Sequence, residues 1–316
     1  MSSVVLTLTM NPSIDVSFSC DQVRAEIKMR CSQPLYEAGC GGINVSRALK
    51  KLGGETIAVF AAGGSEGELL DKLLSAEEIN RHPFKIGGEN RENITVSENS
   101  SDQQFRFVMP GIKMSSDECQ AAVDAVSADD LEADYVVASG SLPPGVPDDF
   151  YADLAKRMKP AGLRMVIDTK GEALRRVATE GVYMIKCNLR EFKDLCGEDL
   201  ADEKELLVAA HKLLKDTGSE NLVITLGAGG CFIVTQDKSR HFHSPTVPIK
   251  SKVGAGDSMT AGIVFKLSTG SDLNDAVAYG VAAGAAAVMT PGTELCRKDD
   301  TERIYELILS RDGKQS

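Results

Sequence analysis

Six short runs rich in apolar and β-branched residues, 4–9, 56–62, 135–139, 164–168, 183–186 and 222–226, recur along the chain. Between them lie stretches whose apolar residues fall three and four apart, such as Ile43, Val45, Ala48, Leu49 and Leu52, which stop at Gly53-Gly54. Leu69, Leu70, Leu73, Leu74 and Ile79 make a second stripe, and Leu206, Leu207, Ala210, Leu213 and Leu214 a third. Fully apolar strands alternating with amphipathic helices predict an α/β fold, with a mostly parallel sheet covered by helices on both faces. Two regions depart from this rhythm, about 15–37 and 92–109. There Val16, Phe18 and Cys20, then Ile94 and Val96, then Phe105, Phe107 and Met109 alternate as strands do, with no helix between. They predict a small antiparallel sheet with one apolar face, which must close over a site or meet another subunit. With no repeat or low-complexity linker, 1–316 reads as a single domain carrying that sheet as a lid.

Composition sets limits on partners. The net charge of −11 provides no field to draw in a nucleic acid backbone, so an anionic ligand must be met by local donors. The eight cysteines, at 20, 31, 40, 119, 187, 196, 231 and 296, form no C-x-x-C pair and no metal spacing with the four histidines. Most sit in apolar runs, as buried thiols do. The N-terminus lacks a basic stretch before its apolar run, so no secretory signal is expected and a reducing cytoplasm is. The Ala- and Val-rich 276–289 segment is too short for a bilayer and reads as a tightly packed internal helix, with no membrane partner expected.

Chemistry concentrates in a few turns. Lys252-Val-Gly-Ala-Gly-Asp-Ser258 places two glycines and an acid at the start of a small-residue helix. Unpaired N–H groups at a helix N-terminus receive anions, and an acid there can take a proton from a nucleophile attacking a phosphoryl group. An N-capping Asp257 is the competing reading. Gly39-Cys-Gly-Gly-Ile-Asn44 opens the first helix and suits either a polyhydroxylated ligand or a tight loop capped by Asn44. Asp15 follows the first strand, where the ligand crevice of an open α/β sheet lies, and can accept hydroxyl hydrogen bonds. Asn188 and Glu191, three apart after another strand, offer hard oxygens to Mg²⁺, or else form a capping arrangement. Thr225-Leu-Gly-Ala-Gly-Gly230 is a hairpin turn or a seat for a nucleotide. Lys28, Arg30, Arg91 and Arg106 fall in or beside the lid and supply local positive charge. No G-x-G-x-x-G fingerprint is present, which argues against a nicotinamide dehydrogenase.

Gly39 to Asn44 followed by Val45-Ser-Arg-Ala, residues 186–191 and residues 253–257 resemble the three signatures of ribokinase-like (PfkB-type) carbohydrate kinases. The opening Thr7-Leu-Thr-Met-Asn-Pro-Ser-Ile-Asp15 resembles the branch that acts on sugar phosphates. Lys28-Met-Arg-Cys31, Phe105-Arg-Phe-Val-Met-Pro-Gly111, Ser139-Gly-Ser-Leu-Pro-Pro-Gly145 and Gly171-Glu-Ala-Leu174 are most similar to the minor-type 6-phosphofructokinases within it. The resemblance runs over essentially the whole chain. It implies a three-layer α/β/α sandwich with a β-sheet lid that pairs two subunits into a homodimer. It further implies ATP-dependent phosphorylation of fructose 6-phosphate to fructose 1,6-bisphosphate. Asp257 would be the general base, and the Gly254, Ala255 and Gly256 backbone the anion hole. Asp15, Gly41, Gly42, Asn44 and Ser141 would hold the sugar, and Lys28 and Arg91 its phosphate. Lys186, Asn188, Thr225, Gly227 and Gly229 would serve ATP, with Asn188 and Glu191 meeting Mg²⁺ directly or through water. K⁺ is a candidate further cofactor.

Departures from the pattern are few. Cys187 stands where proline is frequent before the Asn-x-x-Glu, and Cys40-Gly41-Gly42 lacks the lysine common in sister enzymes. Asp168-Thr-Lys170 replaces a common Asp-Ser-Ser, bringing Lys170 toward the site. Tagatose-6-phosphate kinase and 1-phosphofructokinase are the alternative activities. A non-catalytic sugar-phosphate-binding regulator is a third, though Gly254, Gly256 and Asp257 are intact.

Overall fold

The computed structural model describes residues 3–128 and 133–312. Its strands are β1 (Val4–Thr9), β2 (Ser13–Cys20), β3 (Leu35–Gly39), β4 (Thr56–Ala62), β5 (Asn80–Lys85), β6 (Arg91–Glu98) and β7 (Gln103–Val108). They continue with β8 (Ala133–Ser139), β9 (Arg164–Asp168), β10 (Met184–Asn188), β11 (Asn221–Thr225), β12 (Cys231–Thr235) and β13 (Ser239–Phe242). The helices are α1 (Gly41–Leu52), α2 (Gly64–Ala76), α3 (Ser116–Val126), α4 (Phe150–Met158) and α5 (Gly171–Ala178). After them come α6 (Leu189–Cys196), α7 (Glu203–Thr217), α8 (Ala255–Ser268), α9 (Leu273–Ala287) and α10 (Lys298–Asp312).

Among the described residues a nine-stranded sheet runs in the order β13-β12-β11-β10-β9-β8-β1-β4-β5. Its strands from β11 to β5 are parallel, and the β11-β12-β13 edge is antiparallel. All six apolar runs lie in it. The edge strands β5 and β13 escaped the sequence reading because only Phe84 of the first and Phe242 of the second are buried.

Strand side chains alternate between the two faces, and each face has its own core. Leu6, Leu8, Val136, Ala138, Ile167, Ile185 and Leu222 pack beneath α3 to α7. Val5, Tyr135, Val137, Val166, Met184 and Val223 pack against α1 and α8 to α10. The Ala-rich segment is α9, buried along most of its length. A Cβ on Gly262 of α8 would lie 2.9 Å from that of Ala283, and one on Gly280 would lie 2.4 Å from Ile263, so these glycines set how closely α8 and α9 approach. No helix of the described residues is long and apolar enough to cross a membrane.

The second sheet has four strands in the order β3-β2-β6-β7. The small sheet expected from the alternation is present: β2–β3 and β6–β7 pair antiparallel, and the central β2–β6 pair that joins them is parallel. The chain between them crosses through α1, β4, α2 and β5, the kind of long connection that parallel pairing requires. Ile14, Val16 and Ala38 of this sheet pack on Ile43, Phe60, Leu70 and Leu74. Its edges leave Leu35, Tyr36, Phe107, Val108 and Met109 exposed.

Candidate active site

The C-terminal ends of β1, β8, β9, β10 and β11 open at one edge of the main sheet, the usual crevice of such folds. The N-terminus of α1 sits there because its glycines permit it. A Cβ on Gly41 would fall 2.2 Å from the Ser139 hydroxyl, and one on Gly42 would fall 2.5 Å from that of Thr9. These glycines thus seat the helix on the strand ends.

Gly254 turns the chain into α8 with a left-handed backbone, φ 72°, and no side chain caps the helix. A Cβ there would lie 2.3 Å from Leu295 Cδ2, so only glycine fits. The first-turn amides of Ala255, Gly256 and Asp257 therefore have neither an intrahelical partner nor a side-chain cap. Asp257 is not the cap. Its Oδ2 accepts a hydrogen bond from Asn44 Nδ2 at 2.8 Å, across 213 residues of sequence. Asn44 is not a cap either: its N–H bonds to Cys40 O inside α1, at 2.8 Å. Since a carboxylate only accepts, Nδ2 must face Asp257, which leaves Asn44 Oδ1 buried with no partner. An orphaned buried acceptor beside an acid can take a hydrogen bond from a hydroxyl.

Asp257 keeps part of its surface open to the crevice, yet the atoms packed around it desolvate the carboxylate. That burial, reinforced by the Asp168 charge, pushes its pKa up to about 6, against the pull of Lys186 and the Asn44 hydrogen bond. Lys186, at the end of β10, holds Asp168 of β9 through a 2.7 Å Nζ–Oδ2 contact with both side chains largely buried. Burial alone would lower the Lys186 pKa, but Asp168, Asp257 and Glu191 outweigh it and hold the ammonium charged. A Cβ on Gly256 would lie 2.8 Å from Lys186 Nζ, so the lysine lies over the α8 turn. Thr260 Oγ1 donates to Asp168 Oδ2 at 3.3 Å. The sequence reading pointed to Lys170 here, but Lys170 is exposed, and it is Asp168 that enters the group.

Asp15 projects from β2, and a Cβ on Gly39 would lie 2.3 Å from its Oδ2. Ser13 Oγ at 2.8 Å and Asn93 Nδ2 at 3.0 Å both donate to Asp15 Oδ1. Burial raises the Asp15 pKa, while those two bonds and the Arg91 charge act against the rise. Arg91 is spread over acceptors rather than acids: Met109 O at 2.8 Å, Asn11 O at 3.0 Å and Cys40 Sγ at 3.0 Å. Its Nε is buried without a partner. Ser13, Asn93, Cys40 and Asp168 were missed as site members. Ser13, Cys40 and Asp168 were signalled only by nearness in sequence to Asp15, Gly41 and Lys170, and Asn93 by nothing, because β2–β6 pairing is what sets it opposite Asp15.

Among the described residues, the other expected residues make no side-chain hydrogen bond to this group, although the Glu191 charge acts on Lys186. Lys28 and Arg30 lie exposed in the loop after β2, Arg106 donates to Gln104 Oε1 at 3.3 Å, and Ser141 is exposed after β8. Asn188 and Glu191 form a reciprocal capping box at the start of α6, with both bonds at 2.9 Å. Glu191 Oε1 remains free of that box. Thr225 closes the β11–β12 hairpin opposite Cys231, and the residues between them form its turn. Gly227 within it adopts φ 60°, with nothing within 4 Å of where a Cβ would be, while Gly229 has an ordinary backbone.

Residues 2–300 match the pattern described as pfkB family carbohydrate kinase. The chain is 41% identical over 303 residues to the ATP-dependent 6-phosphofructokinase isozyme 2 of Mycobacterium tuberculosis, covering 96% of this chain and 89% of that one. It is 31% identical over 267 residues to tagatose-6-phosphate kinase of Staphylococcus epidermidis, covering 84% and 85%. Phosphofructokinase-2 of Escherichia coli in complex with potassium superposes with a TM-score of 0.93 at 36% identity, covering 98% of this chain and 99% of that one. The same enzyme in complex with fructose 6-phosphate gives 0.91 at 35%, with the same coverage. The chain belongs to the pfkB family of carbohydrate kinases, and it is a sugar kinase.

Proposed function

We propose that this kinase transfers the γ-phosphoryl group of ATP to the 1-hydroxyl of fructose 6-phosphate, giving fructose 1,6-bisphosphate and ADP. The observation that carries the reading is Asp257: a desolvated carboxylate in the uncapped first turn of α8, held by an Asn44 whose Oδ1 has no partner. A group with a pKa near 6 is largely ionised at pH 7 yet basic enough to accept the hydroxyl proton. The Gly254, Ala255 and Gly256 backbone serves as the anion hole for charge developing on the transferred group. Asn44 Oδ1 and the free Asp15 Oδ2 accept sugar hydroxyl bonds, with Gly41, Gly42 and Ser141 alongside. Arg91, paired with no carboxylate in the hydrogen-bond network of the described residues, meets the sugar's phosphate together with Lys28. Lys186 compensates ATP phosphates, with Asn188, Thr225, Gly227 and Gly229 along the nucleotide.

The donor set also fits Mg²⁺. Asn188 Oδ1 and Glu191 Oε2 are engaged in the capping box, Glu191 Oε1 is available, and no cluster of three His, Cys, Asp or Glu among the described residues would cage an ion. An ion held by one carboxylate, waters and ATP oxygens is the usual state of Mg²⁺ in kinases, where it neutralises phosphate charge. Potassium, bound by the Escherichia coli enzyme, is a further candidate cofactor. The small sheet acts as a lid that excludes water, and its exposed apolar edges pair two copies into a dimer. The eight cysteines are free, in keeping with a reducing cytoplasm.

The test is a coupled assay of ADP release over fructose 6-phosphate, tagatose 6-phosphate and fructose 1-phosphate. Fructose 6-phosphate is expected to give the highest kcat/KM by at least about tenfold, a difference of roughly 1.4 kcal/mol in transition-state binding. Preference for either other sugar would move the enzyme to that neighbouring activity. Sugar-phosphate binding without ADP release would replace the kinase reading with a regulator.

A further inference from the structure

Away from the crevice, the small sheet sets two thiols opposite each other. Cys20 ends β2 and is 3% exposed, whereas Cys31, across the following loop, is open to solvent. The two residues form an isolated antiparallel bridge. Ser32 N–H donates to Ser19 O at 2.8 Å, and Ser19 N–H donates to the Ser32 hydroxyl at 2.9 Å. A bond from the residue after Cys31 to the residue before Cys20 is the pattern of a non-hydrogen-bonded pair. Facing Cα atoms in such a pair lie about 4.5 Å apart, with side chains on the same face. Disulfides span Cα separations of about 4.4–6.8 Å, so the backbone needs no rearrangement. Burial first, and the facing Cys31 thiol second, hold the Cys20 pKa above its ordinary value. One thiol is thus accessible to a small reagent, and the other is sheltered but within reach of the first.

We propose that Cys20 and Cys31 are a redox-active pair that closes a reversible disulfide in response to a low-molecular-weight disulfide, clamping the 21–30 loop to the end of β2. The Cys31 thiolate attacks the small disulfide, forming a mixed disulfide and releasing one small thiol. The Cys20 thiolate then attacks the Cys31 sulfur and releases the second. The two cysteine protons end on the two released thiols, so two cysteines are oxidised and one small disulfide is reduced. The inference is independent of the kinase reading, since it concerns thiols and not turnover.

The loop carries Arg24, Lys28 and Arg30, so trypsin cuts between the two cysteines and the disulfide joins otherwise separate peptides. The full chain is incubated with oxidised glutathione at graded ratios to reduced glutathione, blocked with iodoacetamide and mapped by mass. Two of the eight thiols should be lost, with the linked peptides present and the bond reversed by dithiothreitol. Native trypsin nicking within 24–30 should slow several-fold in the oxidised protein. Both effects should vanish in Cys31→Ser, which changes an exposed position, and in Cys20→Ser. Retention of all eight alkylatable thiols, linkage of another pair, a persistent mixed disulfide on Cys31 alone, or unslowed nicking of the linked protein would each overturn the proposal.

Discussion

Asp257 carries opposite consequences for stability and for activity. Folded, it holds its proton up to about pH 6, while its ordinary value is 3.8. The bound proton therefore favours the folded state fully below pH 3.8, and that contribution is lost as pH rises through about 6. Asp257→Asn cannot ionise, so its Tm should exceed the wild type's by a few degrees at neutral pH, with the gap narrowing toward about pH 4. The same substitution should lower kcat by on the order of 10²–10⁴, the usual worth of a general base. A folded, fully active Asn variant would remove Asp257 from the mechanism. In the wild type, kcat/KM should fall about tenfold per pH unit below about 6. A profile flat down to about pH 5 would instead report a carboxylate in its ordinary range.

Among the elements, the start of α6 joins two roles that substitution can separate. The Asn188–Glu191 capping box stabilises the helix whether or not a metal comes near. Glu191→Gln keeps a side chain that can complete the box but removes its charge, so stability should hold within about 0.5 kcal/mol. The Mg²⁺ concentration for half-maximal activity should rise in that variant. Glu191→Ala should lose about 1 kcal/mol as well, read as a lower urea midpoint. Equal Mg²⁺ requirements in wild type and Gln variant would leave Glu191 a cap only. This ambiguity was present in the sequence, because Asn-x-x-Glu is written identically for a cap and for a metal site. The α8 turn resolved differently: Gly254 occupies the cap position, which frees Asp257 to bond Asn44.

At the level of the whole molecule, Arg47 of α1 ties distant parts together. Its guanidinium meets Glu37 of β3 at 3.3 Å and Glu77 beyond α2 at 2.8 Å. It also donates to Ala38 O at 2.9 Å and to Thr293 O at 3.3 Å, beside the Leu295 that confines Gly254. The small sheet and the loop whose Leu295 confines the α8 turn therefore share one buried cation. Arg47→Met leaves the largely buried Glu37 without a countercharge, though still bonded by the Thr293 hydroxyl, and should cost roughly 3 kcal/mol, seen as a Tm drop of several degrees. An unchanged melt would mean that the cluster contributes nothing net. The exposed edge of the lid supports a separate expectation. Phe107, 50% exposed on β7, should lie in the contact between copies. Phe107→Asp should shift sedimentation toward the monomer without altering the circular dichroism spectrum. Sedimentation identical to wild type would place the contact elsewhere.

Apolar periodicity fixed the layers of this protein, because fully buried strands and half-buried helices each require their own spacing of hydrophobic side chains. The glycine turns were legible for a similar reason: a left-handed or closely packed backbone position admits little else, and the acid at 257 was legible because it stands beside one. Sequence spacing could not reveal which polar groups meet. Asn44 and Asp257 are 213 residues apart, and Asn93 reaches Asp15 only through a parallel strand pair that alternation alone would read as antiparallel. The facing of Cys20 and Cys31 likewise depends on where the loop returns to the sheet. Local patterns record what each segment must bury. Long-range register decides which side chains share a site, and only the tertiary structure sets that register.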